Sequence, residues 1–461
     1  MKIQTIRSEG LAALSYYISS DGDAMIIDPR RDAAIYYRIA RAHDEKIRYI
    51  FETHRNEDLV TGSLELQSKI PESEIVHSCA THFGFGDHSI DDGETFAVGR
   101  MRIACINTPG HTDDSMCYAV SDTSSGPEPI ILFTGDTLFV NEVGRTDLVD
   151  IKKHSEMSNK LFTSLTEKIL PLDDGIIIHP AHGAGSVCGG EISDREFSTL
   201  GYEKKHNPWL SMSQDDFIEA KLKQRLTLSP YFKRCENLNT DGPPLLKSFE
   251  EIPELELNEF RDLLETSNHQ VIDIRPSLVY LENHIPRTIS LSLSNMGLLA
   301  GWALNSEYSQ SFILEQKKDL EMAWSYLVRV GLDNIIGYVD GIFSRWSSEG
   351  LEFESISSIN PDELKNRISE DSIRIIDVRE SYEFETEHIS KSQNLPLTTI
   401  GSKTEYGISN QPLAVICPSG FRSTTAASIL RKAGYNDICV VSNGLKAWKQ
   451  RGFPLMSGLR L

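Results

Sequence analysis

Four short apolar runs in the first half of the chain each precede a residue that can bind a metal ion. Each run has the length of a β-strand, or of the end of one, and is bounded by turn residues. The runs cover residues 50–51, 103–106, 130–133 and 176–178. The residues that follow them, in the same order, are His54, His111, Asp136 and His182. Because strand ends at one sheet edge bring side chains together, the pattern predicts a metal site on an α/β scaffold.

A metal site explains this pattern better than four unrelated residues do. A single histidine after a strand is more often a capping or core residue than a ligand, and one Thr-Gly-Asp sequence at residues 134–136 carries little weight. An ordered set of four, each behind its own strand, is much harder to obtain by chance. Two imidazoles and one carboxylate with open coordination positions form the ligand set of mononuclear non-haem iron(II) oxygenases.

The order of these motifs resembles the metallo-β-lactamase superfamily, which implies an αβ/βα sandwich from Met1 to about Leu228. The first motif of the superfamily is T-H-x-H-x-D-H, and here it reads Thr53-His54-Arg55-Asn56-Glu57-Asp58-Leu59. Asn56 and Leu59 replace the two histidines with which dinuclear zinc hydrolases such as glyoxalase II complete two metal sites. The resemblance to the persulfide dioxygenase branch therefore implies one Fe(II) per chain, with zinc as the alternative metal. Its ligands would be His54, His111 and Asp136.

The same resemblance implies roles for further residues of this region. The sequence Val143-Gly-Arg-Thr-Asp147 is similar to that of the persulfide dioxygenases and implies that Arg145 contacts a thiol substrate. That branch usually has histidine at positions 56 and 59 without using it as an iron ligand, so Asn56 and Leu59 depart from it as well. Four residues are expected to support the site without binding the iron: Asn56, Asp58, His182 and Cys188. For Cys188, a sulfur-carrying role and an inert buried thiol are both open.

The second half of the chain contains an internal repeat. The sequence Val271-Ile-Asp-Ile-Arg275 recurs as Ile375-Ile-Asp-Val-Arg379, and Val330-Gly-Leu-Asp-Asn-Ile335 recurs as Ala433-Gly-Tyr-Asn-Asp-Ile438. Two copies of one α/β domain therefore follow the first domain. The polar residues 235–244, which end in Gly-Pro-Pro, are the clearest predicted linker.

A cysteine lies between a predicted strand at residues 414–416 and a predicted helix at residues 424–432. Backbone N–H groups and the helix dipole at such a position favour the thiolate of Cys417, Arg422 adds a positive charge, and Gly420 permits a tight loop. The sequence Cys417-Pro-Ser-Gly-Phe-Arg-Ser423 resembles the loop of rhodanese sulfurtransferases, which implies a parallel sheet and a persulfide on Cys417. The phosphatase C-x5-R loop is also similar, but Asn443-Gly-Leu-Lys-Ala-Trp448 favours a rhodanese.

The first copy lacks this loop. An ungapped alignment of the two copies places Leu314 at the position of Cys417. We therefore expect three domains: a metallo-β-lactamase-fold dioxygenase domain at residues 1–240, a degenerate rhodanese-like domain without a catalytic cysteine at 246–354, and an active rhodanese domain at 355–461.

Composition excludes several classes of partner. Lys plus Arg number 46 and Asp plus Glu 67, a formal net charge of −21. Such a surface repels phosphate backbones and anionic lipids, so we expect neither nucleic acid nor a membrane as partner. No apolar run approaches the roughly 18–20 residues of a membrane helix, and the first residues carry no basic-then-apolar signal pattern. Seven scattered cysteines exclude a disulfide scaffold and favour the cytoplasm.

The three-part order resembles the bacterial persulfide dioxygenase–rhodanese fusions. This implies oxidation of a small-thiol persulfide by O₂ to sulfite, with exchange of sulfur between Cys417, thiosulfate and sulfite. The thiol carrier could be glutathione, coenzyme A or a similar molecule, and a homo-oligomer is left open. Two other functions remain open. One is a thioester hydrolase resembling glyoxalase II with two zinc ions, and the other is a non-oxidising sulfur-relay protein with a decayed metal site.

Overall fold

The computed structural model describes residues 1–401 and 411–458. Residues 402–410 and 459–461 of the predicted third domain lie outside this range. The chain forms two compact units. Unit 1 comprises Met1–Leu228 and Phe232–Leu246, and unit 2 comprises Ser229–Tyr231 and Lys247–Leu461. No helix within the described residues is long and apolar enough to cross a bilayer.

Unit 1 contains two six-stranded mixed sheets. The first has the strand order β1-β2-β3-β4-β5-β6 and the second β12-β11-β10-β9-β8-β7. The strands are β1 Lys2–Ser8, β2 Ala13–Ser20, β3 Asp23–Ile27, β4 Lys46–Phe51, β5 Glu74–Ser78, β6 His88–Ile90, β7 Thr95–Val98, β8 Met101–Asn107, β9 Met116–Asp122, β10 Ile131–Gly135, β11 Ile177–Pro180 and β12 Ser198–Thr199.

The two sheets of unit 1 pack face to face, with helices on the outer faces. Their shared core includes Tyr16, Phe51, Val76, Tyr118 and Phe133. Separate apolar clusters join each sheet to its helices. The helices are α1 Ala34–His43, α2 Ser63–Lys69, α3 His154–Thr163, α4 Leu200–His206, α5 Gln214–Lys223 and α6 Phe232–Asp241. This arrangement is the expected αβ/βα sandwich.

Unit 2 contains two parallel sheets, as expected for the repeat. Their strand orders are β14-β13-β15-β16 and β17-β21-β20-β18-β19. The strands are β13 His269–Asp273, β14 Ile289–Ser290, β15 Ser309–Leu314, β16 Ile335–Asp340, β17 Ser357–Ile359, β18 Arg374–Asp377, β19 Ser392–Asn394, β20 Leu413–Ile416 and β21 Ile438–Val441. The helices are α7 Leu257–Glu265, α8 Ser277–Glu282, α9 Leu293–Ala303, α10 Leu320–Arg329, α11 Ile342–Ser348, α12 Pro361–Ser369, α13 Ser381–Thr386, α14 Leu397–Ile400, α15 Phe421–Lys432 and α16 Gly444–Gln450.

Two local predictions need correction. The predicted linker at residues 235–244 is wrong for most of its length, because α6 extends to Asp241. Phe232, Cys235 and Asn239 are the buried residues of this helix, and their i, i+3, i+7 spacing places them on one face. The predicted helix at 424–432 begins three residues earlier, at Phe421. Arg422 and Ser423 therefore lie in its first turn.

Candidate functional site

His54, His111 and Asp136 lie together at one edge of the sandwich in unit 1. They follow β4, β8 and β10, and their relative exposures are 3%, 0% and 1%. Asp136 Oδ2 is 3.3 Å from His111 Nε2 and 3.8 Å from His54 Nε2. One donor atom from each residue lies within 4.8 Å of the other two. We call these three residues the first cluster.

Hydrogen bonds on the far side of each imidazole orient the two histidines. His111 Nδ1 is 2.9 Å from the backbone carbonyl oxygen of Arg145, which can only accept, so this nitrogen carries the proton. The Thr53 hydroxyl donates to Asp28 Oδ2, so its oxygen accepts from His54 Nδ1 at 2.8 Å. In neutral imidazoles this leaves both Nε2 lone pairs facing Asp136.

The first cluster fits a divalent metal ion. His54 Nε2, His111 Nε2 and Asp136 Oδ2 are buried and have no hydrogen-bond partner. Buried polar atoms are normally paired, so three unpaired donors that face one another require an explanation. Two nitrogen donors and one carboxylate oxygen suit zinc or non-haem iron.

The other oxygen of Asp136 is held by His182. Asp136 Oδ1 accepts a hydrogen bond of 2.8 Å from His182 Nδ1. Burial alone would raise the pKa of Asp136, but the charge and hydrogen bond of His182, together with His111 and His54, hold that pKa below its usual range. Asp136 is therefore a carboxylate, the form that binds a metal ion.

Glu57 is a residue of the site that the sequence analysis missed. Its Oε1 lies 3.4 Å from His111 Nε2 and 3.5 Å from Cys188 Sγ. The signal that could have found it is its place in the same loop as His54, three residues further on.

Three of the four residues named as accessory face this region. Asp58 Oδ2 lies 3.0 Å from His182 Nε2, and Cys188 contacts Glu57. Asn56 instead donates a long hydrogen bond of 3.4 Å to the backbone carbonyl of His54, within its own loop.

Arg145 is buried beside the cluster. Its guanidinium donates to Asp147, at 2.7 and 2.8 Å, and to the backbone carbonyls of Val187 and Thr227, both at 2.9 Å. Its backbone N–H donates to the carbonyl of Cys188. Arg145 thus fixes the loop that carries Cys188, and its predicted contact with a thiol substrate stays a prediction.

The second candidate site is the thiol loop of unit 2. Cys417 follows β20, is 1% exposed, and accepts a hydrogen bond of 3.1 Å from the backbone N–H of Gly420. Gly420 has a φ of 107°, in the region that favours glycine. Ser423 Oγ lies 3.4 Å from the sulfur. The N–H group of Leu445, in the first turn of α16, donates to the carbonyl of Cys417.

Glu383 forms an ion pair with Arg422, beside the thiol loop. Its two carboxylate oxygens accept hydrogen bonds of 2.7 and 2.8 Å from Arg422. Burial opposes ionisation of Glu383, but these bonds and the charge of Arg422 hold its pKa below the usual range. A cavity of about 560 Å³ beside the loop is lined by Glu383, Pro418, Lys446 and Lys449, among others.

Strand register gives the corresponding position in the other copy. Asp377 pairs with Ile416 in one sheet, and Asp273 pairs with Ile313 in the other. The next residue is Cys417 in the first case and Leu314 in the second, and Leu314 is 1% exposed. At this sheet edge the first copy therefore presents a buried leucine.

Comparison with known proteins finds relatives for both parts of the chain. The metallo-β-lactamase superfamily model matches residues 9–182, and the rhodanese-like domain model matches residues 360–451. The mitochondrial persulfide dioxygenase ETHE1 of Mus musculus is 30% identical over 201 residues, which cover 43% of this chain and 70% of the mouse protein. A mitochondrial hydroxyacylglutathione hydrolase of Saccharomyces cerevisiae is 31% identical over 138 residues, which cover 28% of this chain and 48% of the yeast protein.

A solved structure extends the similarity beyond unit 1. The crystal structure of a metallo-β-lactamase from Staphylococcus aureus aligns with a TM-score of 0.66 and 27% identity. The aligned region covers 74% of this chain and 99% of the Staphylococcus aureus chain.

An αβ/βα sandwich with a buried cluster of two histidines and one carboxylate defines an enzyme of the metallo-β-lactamase type. The chain belongs to this superfamily and, within it, to the family of the persulfide dioxygenases, and it carries a rhodanese-like domain in its C-terminal part.

Proposed function

We propose that this chain is a persulfide dioxygenase that also transfers sulfur through Cys417. In the first reaction, a thiol persulfide, O₂ and water give the free thiol, sulfite and two protons. The sulfane sulfur is oxidised, O₂ is reduced, and the S–S bond breaks. The substrate class is a small-thiol persulfide, with glutathione or coenzyme A as carrier.

The observation that carries this proposal is the convergence of three buried, unpartnered donors, His54 Nε2, His111 Nε2 and Asp136 Oδ2. A set of two histidines and one carboxylate is typical of non-haem iron(II) oxygenases, in which the iron supplies open positions for substrate and O₂. The similarity to persulfide dioxygenases supports the same chemistry.

The chain itself contributes orientation and exclusion of water. Thr53 and the carbonyl of Arg145 hold the imidazoles of His54 and His111 with Nε2 directed at Asp136. His182 holds the Asp136 carboxylate by its second oxygen. Because these groups are buried, a charged ligand set is kept in a low-dielectric environment, where its electrostatic interactions are strong.

Sulfur transfer would use the thiol loop. The Cys417 thiolate attacks the sulfane sulfur of thiosulfate, an S–S bond forms on Cys417, and the S–S bond of thiosulfate breaks to release sulfite. The N–H of Gly420 and the α15 N-terminus face the sulfur, where they stabilise negative charge. The reverse reaction would consume sulfite and return thiosulfate.

Metal analysis and oxygen uptake of the full chain test the proposal together. We expect one iron per chain and oxygen consumption when a pre-formed glutathione persulfide is added. His111→Ala and Asp136→Ala should lose both iron and oxygen uptake, whereas His206→Ala, at an exposed position, should keep both.

The same measurements distinguish the alternatives. Two zinc ions with hydrolysis of a thioester would replace the proposal by a hydrolase. Absence of bound metal, with sulfur transfer intact, would replace it by a sulfur-relay protein.

A further inference from the structure

Helix α15 of the second copy in unit 2 is buried on more than one face. Seven of its twelve residues are buried, among them every residue from 423 to 428. A helix that covered only its own sheet would bury a single stripe. Helix α15 packs against β20 and β21 of its own copy and also against β14, α8 and α9 of the first copy. It therefore connects the first copy to the thiol loop at its N-terminal end.

Three side chains in the second half of α15 form hydrogen bonds with the first copy. They are Ser428, Arg431 and Lys432. Their i, i+3 and i+4 spacing places them on one face of the helix. We call these three residues the docking face of α15.

Ser428 binds the edge of the sheet in the first copy. Strand β14 is the outermost strand of that sheet, so N–H groups on its outer side need partners other than a strand. Ser428 Oγ accepts a hydrogen bond of 3.0 Å from the N–H of Ser290, and its own hydrogen goes to the carbonyl of Thr425 at 2.7 Å. Because both serines are 1% exposed, loss of the Ser428 hydroxyl would leave a buried N–H without its partner.

Arg431 and Lys432 add two charged contacts. Arg431 Nε donates to Glu354 Oε2 at 2.9 Å, and Lys432 Nζ donates to the carbonyl of His269 at 2.9 Å. Glu354 is itself fixed by a pair of backbone hydrogen bonds with His284. The docking face therefore contacts the first copy at three places: the edge strand β14, the start of β13 and the segment after α11.

The opposite end of α15 faces the sulfur of Cys417. The N–H of Gly420 donates to this sulfur at 3.1 Å, and Ser423 Oγ lies 3.4 Å from it. The hydroxyl groups of Ser423 and Thr424 both donate to the carbonyl of Gly420. These bonds join the thiol loop to the first turn of the helix, so the loop and the helix form one piece.

A small tilt of α15 would displace the groups that face the sulfur. At 1.5 Å per residue, the first turn lies about 10 Å from Ser428, so a tilt of about 5° moves it by about 1 Å. A displacement of this size at a reacting group can cost about a hundredfold in rate. The direction of the helix axis therefore matters for the chemistry of Cys417.

We propose that the first copy is a positioning domain for the thiol loop. It fixes the axis of α15 through Ser290, Glu354 and the carbonyl of His269. The helix in turn holds the N–H of Gly420 against the sulfur of Cys417. A strand edge, a carboxylate and a carbonyl make these contacts, so the role needs no catalytic cysteine in the first copy. The inference rests on the sulfur transfer proposed above.

Two rates measured on the full chain test the proposal. One is alkylation of Cys417 by iodoacetamide, followed by mass spectrometry of its peptide, and the other is release of sulfite from thiosulfate in a single turnover. Ser428→Ala and Glu354→Ala should lower both rates about twofold to fivefold, as expected when a helix N-terminus is partly withdrawn from a charge. Ser369→Ala and Glu352→Ala are the matched controls and should keep wild-type rates. The first removes a serine bond within α12 at an exposed position, and the second removes an exposed carboxylate two residues from Glu354.

A double-mutant cycle separates positioning from a general loss of stability. Glu354→Ala, Arg431→Ala and the double variant should give equal rates, since each removes the same ion pair, and Arg431→Lys should restore part of the rate. Wild-type rates in Ser428→Ala and Glu354→Ala, with the fold intact by circular dichroism, would overturn the proposal. Single effects that multiply in the double variant would overturn it as well. If Ser428→Ala does not fold, Glu354→Ala, at a partly exposed position, decides.

Alkylation of Cys417 does not require sulfur transfer. If the wild-type chain releases no sulfite from thiosulfate, the proposed transfer fails. The alkylation rates then still decide whether the first copy positions the thiol loop, so the two proposals can fail separately.

Discussion

The side-chain amide of Asn239 donates a hydrogen bond of 2.6 Å to the backbone carbonyl of Asn56, which lies 183 residues earlier in the chain. The same nitrogen donates to the carbonyl of Leu59 at 2.7 Å, and the amide oxygen accepts from the N–H of Thr61 at 2.8 Å. One buried side chain thus satisfies three backbone groups of the loop that carries His54. The helix that supplies it, α6, thereby fixes the loop that contributes His54 to the first cluster.

Replacement of Asn239 by alanine should destabilise unit 1 and loosen the candidate metal site. Three buried backbone groups would lose their partners, and each such loss costs about 1–3 kcal/mol when water does not replace it. We expect the free energy of unfolding to fall by about 2–4 kcal/mol in total, since some relaxation occurs. Urea unfolding followed by tryptophan fluorescence measures this fall, and a competing chelator measures the rate of metal loss.

Asn237→Ala is the matched control, because Asn237 is exposed on the same helix. Its unfolding free energy should change by less than about 0.5 kcal/mol. If both variants unfold alike and release metal at the wild-type rate, Asn239 does not hold the loop.

The sequence predicts that the residues of the first cluster come together, because each of them follows its own strand in a local pattern. The positions of His54, His111 and Asp136 require only the period and length of the strands and the meeting of strand ends at one edge. The contribution of Asn239 has no such local signal. Its three partners lie about 180 residues away in the chain, and the polar composition of residues 235–244 concealed the i, i+3, i+7 spacing of buried residues.

Side-chain direction explains the other features of the site that could not be predicted from the sequence. Glu57 and Asp58 are neighbours in one loop, yet one faces His111 and the other His182. Loop residues lack the periodicity that assigns faces in helices and strands, so only the fold decides where they point. The position of Leu314, in contrast, could be predicted from the sequence. It lies in a regular strand, and the strand pairing in the two sheets places it at the position of Cys417, as the ungapped alignment does.

Cys417→Ser should abolish the transfer of sulfur from thiosulfate to cyanide. It should leave the iron content and the oxidation of a pre-formed persulfide unchanged. The reason is that Cys417 belongs to unit 2, whereas the first cluster lies in unit 1. No cysteine lies between Cys235 and Cys417 in the sequence, so the first copy cannot substitute for it. Thiocyanate formation, iron analysis and oxygen uptake measure the three quantities.

Cys79→Ser, at an exposed thiol, serves as control and should retain transferase activity. If Cys417→Ser stops the oxidation of the pre-formed persulfide while iron remains bound, sulfur must reach the iron on this thiol. The direct oxidation of a small-thiol persulfide would then be the wrong mechanism.

Glu383→Gln should improve the binding of thiosulfate. The carboxylate cancels the charge of Arg422 through two hydrogen bonds, and glutamine keeps an acceptor without the charge. Glutamine also preserves the capping box that Glu383 forms with Glu380. We expect KM for thiosulfate, a dianion, to fall about threefold to tenfold and to rise more steeply with ionic strength.

Steady-state kinetics at two salt concentrations check this effect. Glu370→Gln changes the net charge equally at an exposed position and should leave KM within about twofold. A higher KM in Glu383→Gln would show that the ion pair supports the binding of the donor.

Lowering the pH should destabilise the first copy in unit 2 through His269. Both ring nitrogens of this buried histidine contact serine hydroxyls, Ser309 Oγ at 2.7 Å and Ser311 Oγ at 2.8 Å. Burial, with a smaller effect of Lys432, lowers its pKa to about 4. The unfolded chain takes up the proton near pH 6.5 while the folded chain does not. The stability present above about pH 6.5 is therefore lost progressively as the pH falls towards 4, by about 1–2 kcal/mol at pH 5.

Urea unfolding at pH 7.5 and 5.0 measures the loss through tryptophan fluorescence, because three of the five tryptophans lie in residues 302–346. His269→Gln should reduce the change of the unfolding free energy with pH, whereas His43→Gln, at an exposed position, should leave it unchanged. If both variants and the wild type lose the same stability between pH 7.5 and 5.0, other groups cause the acid sensitivity.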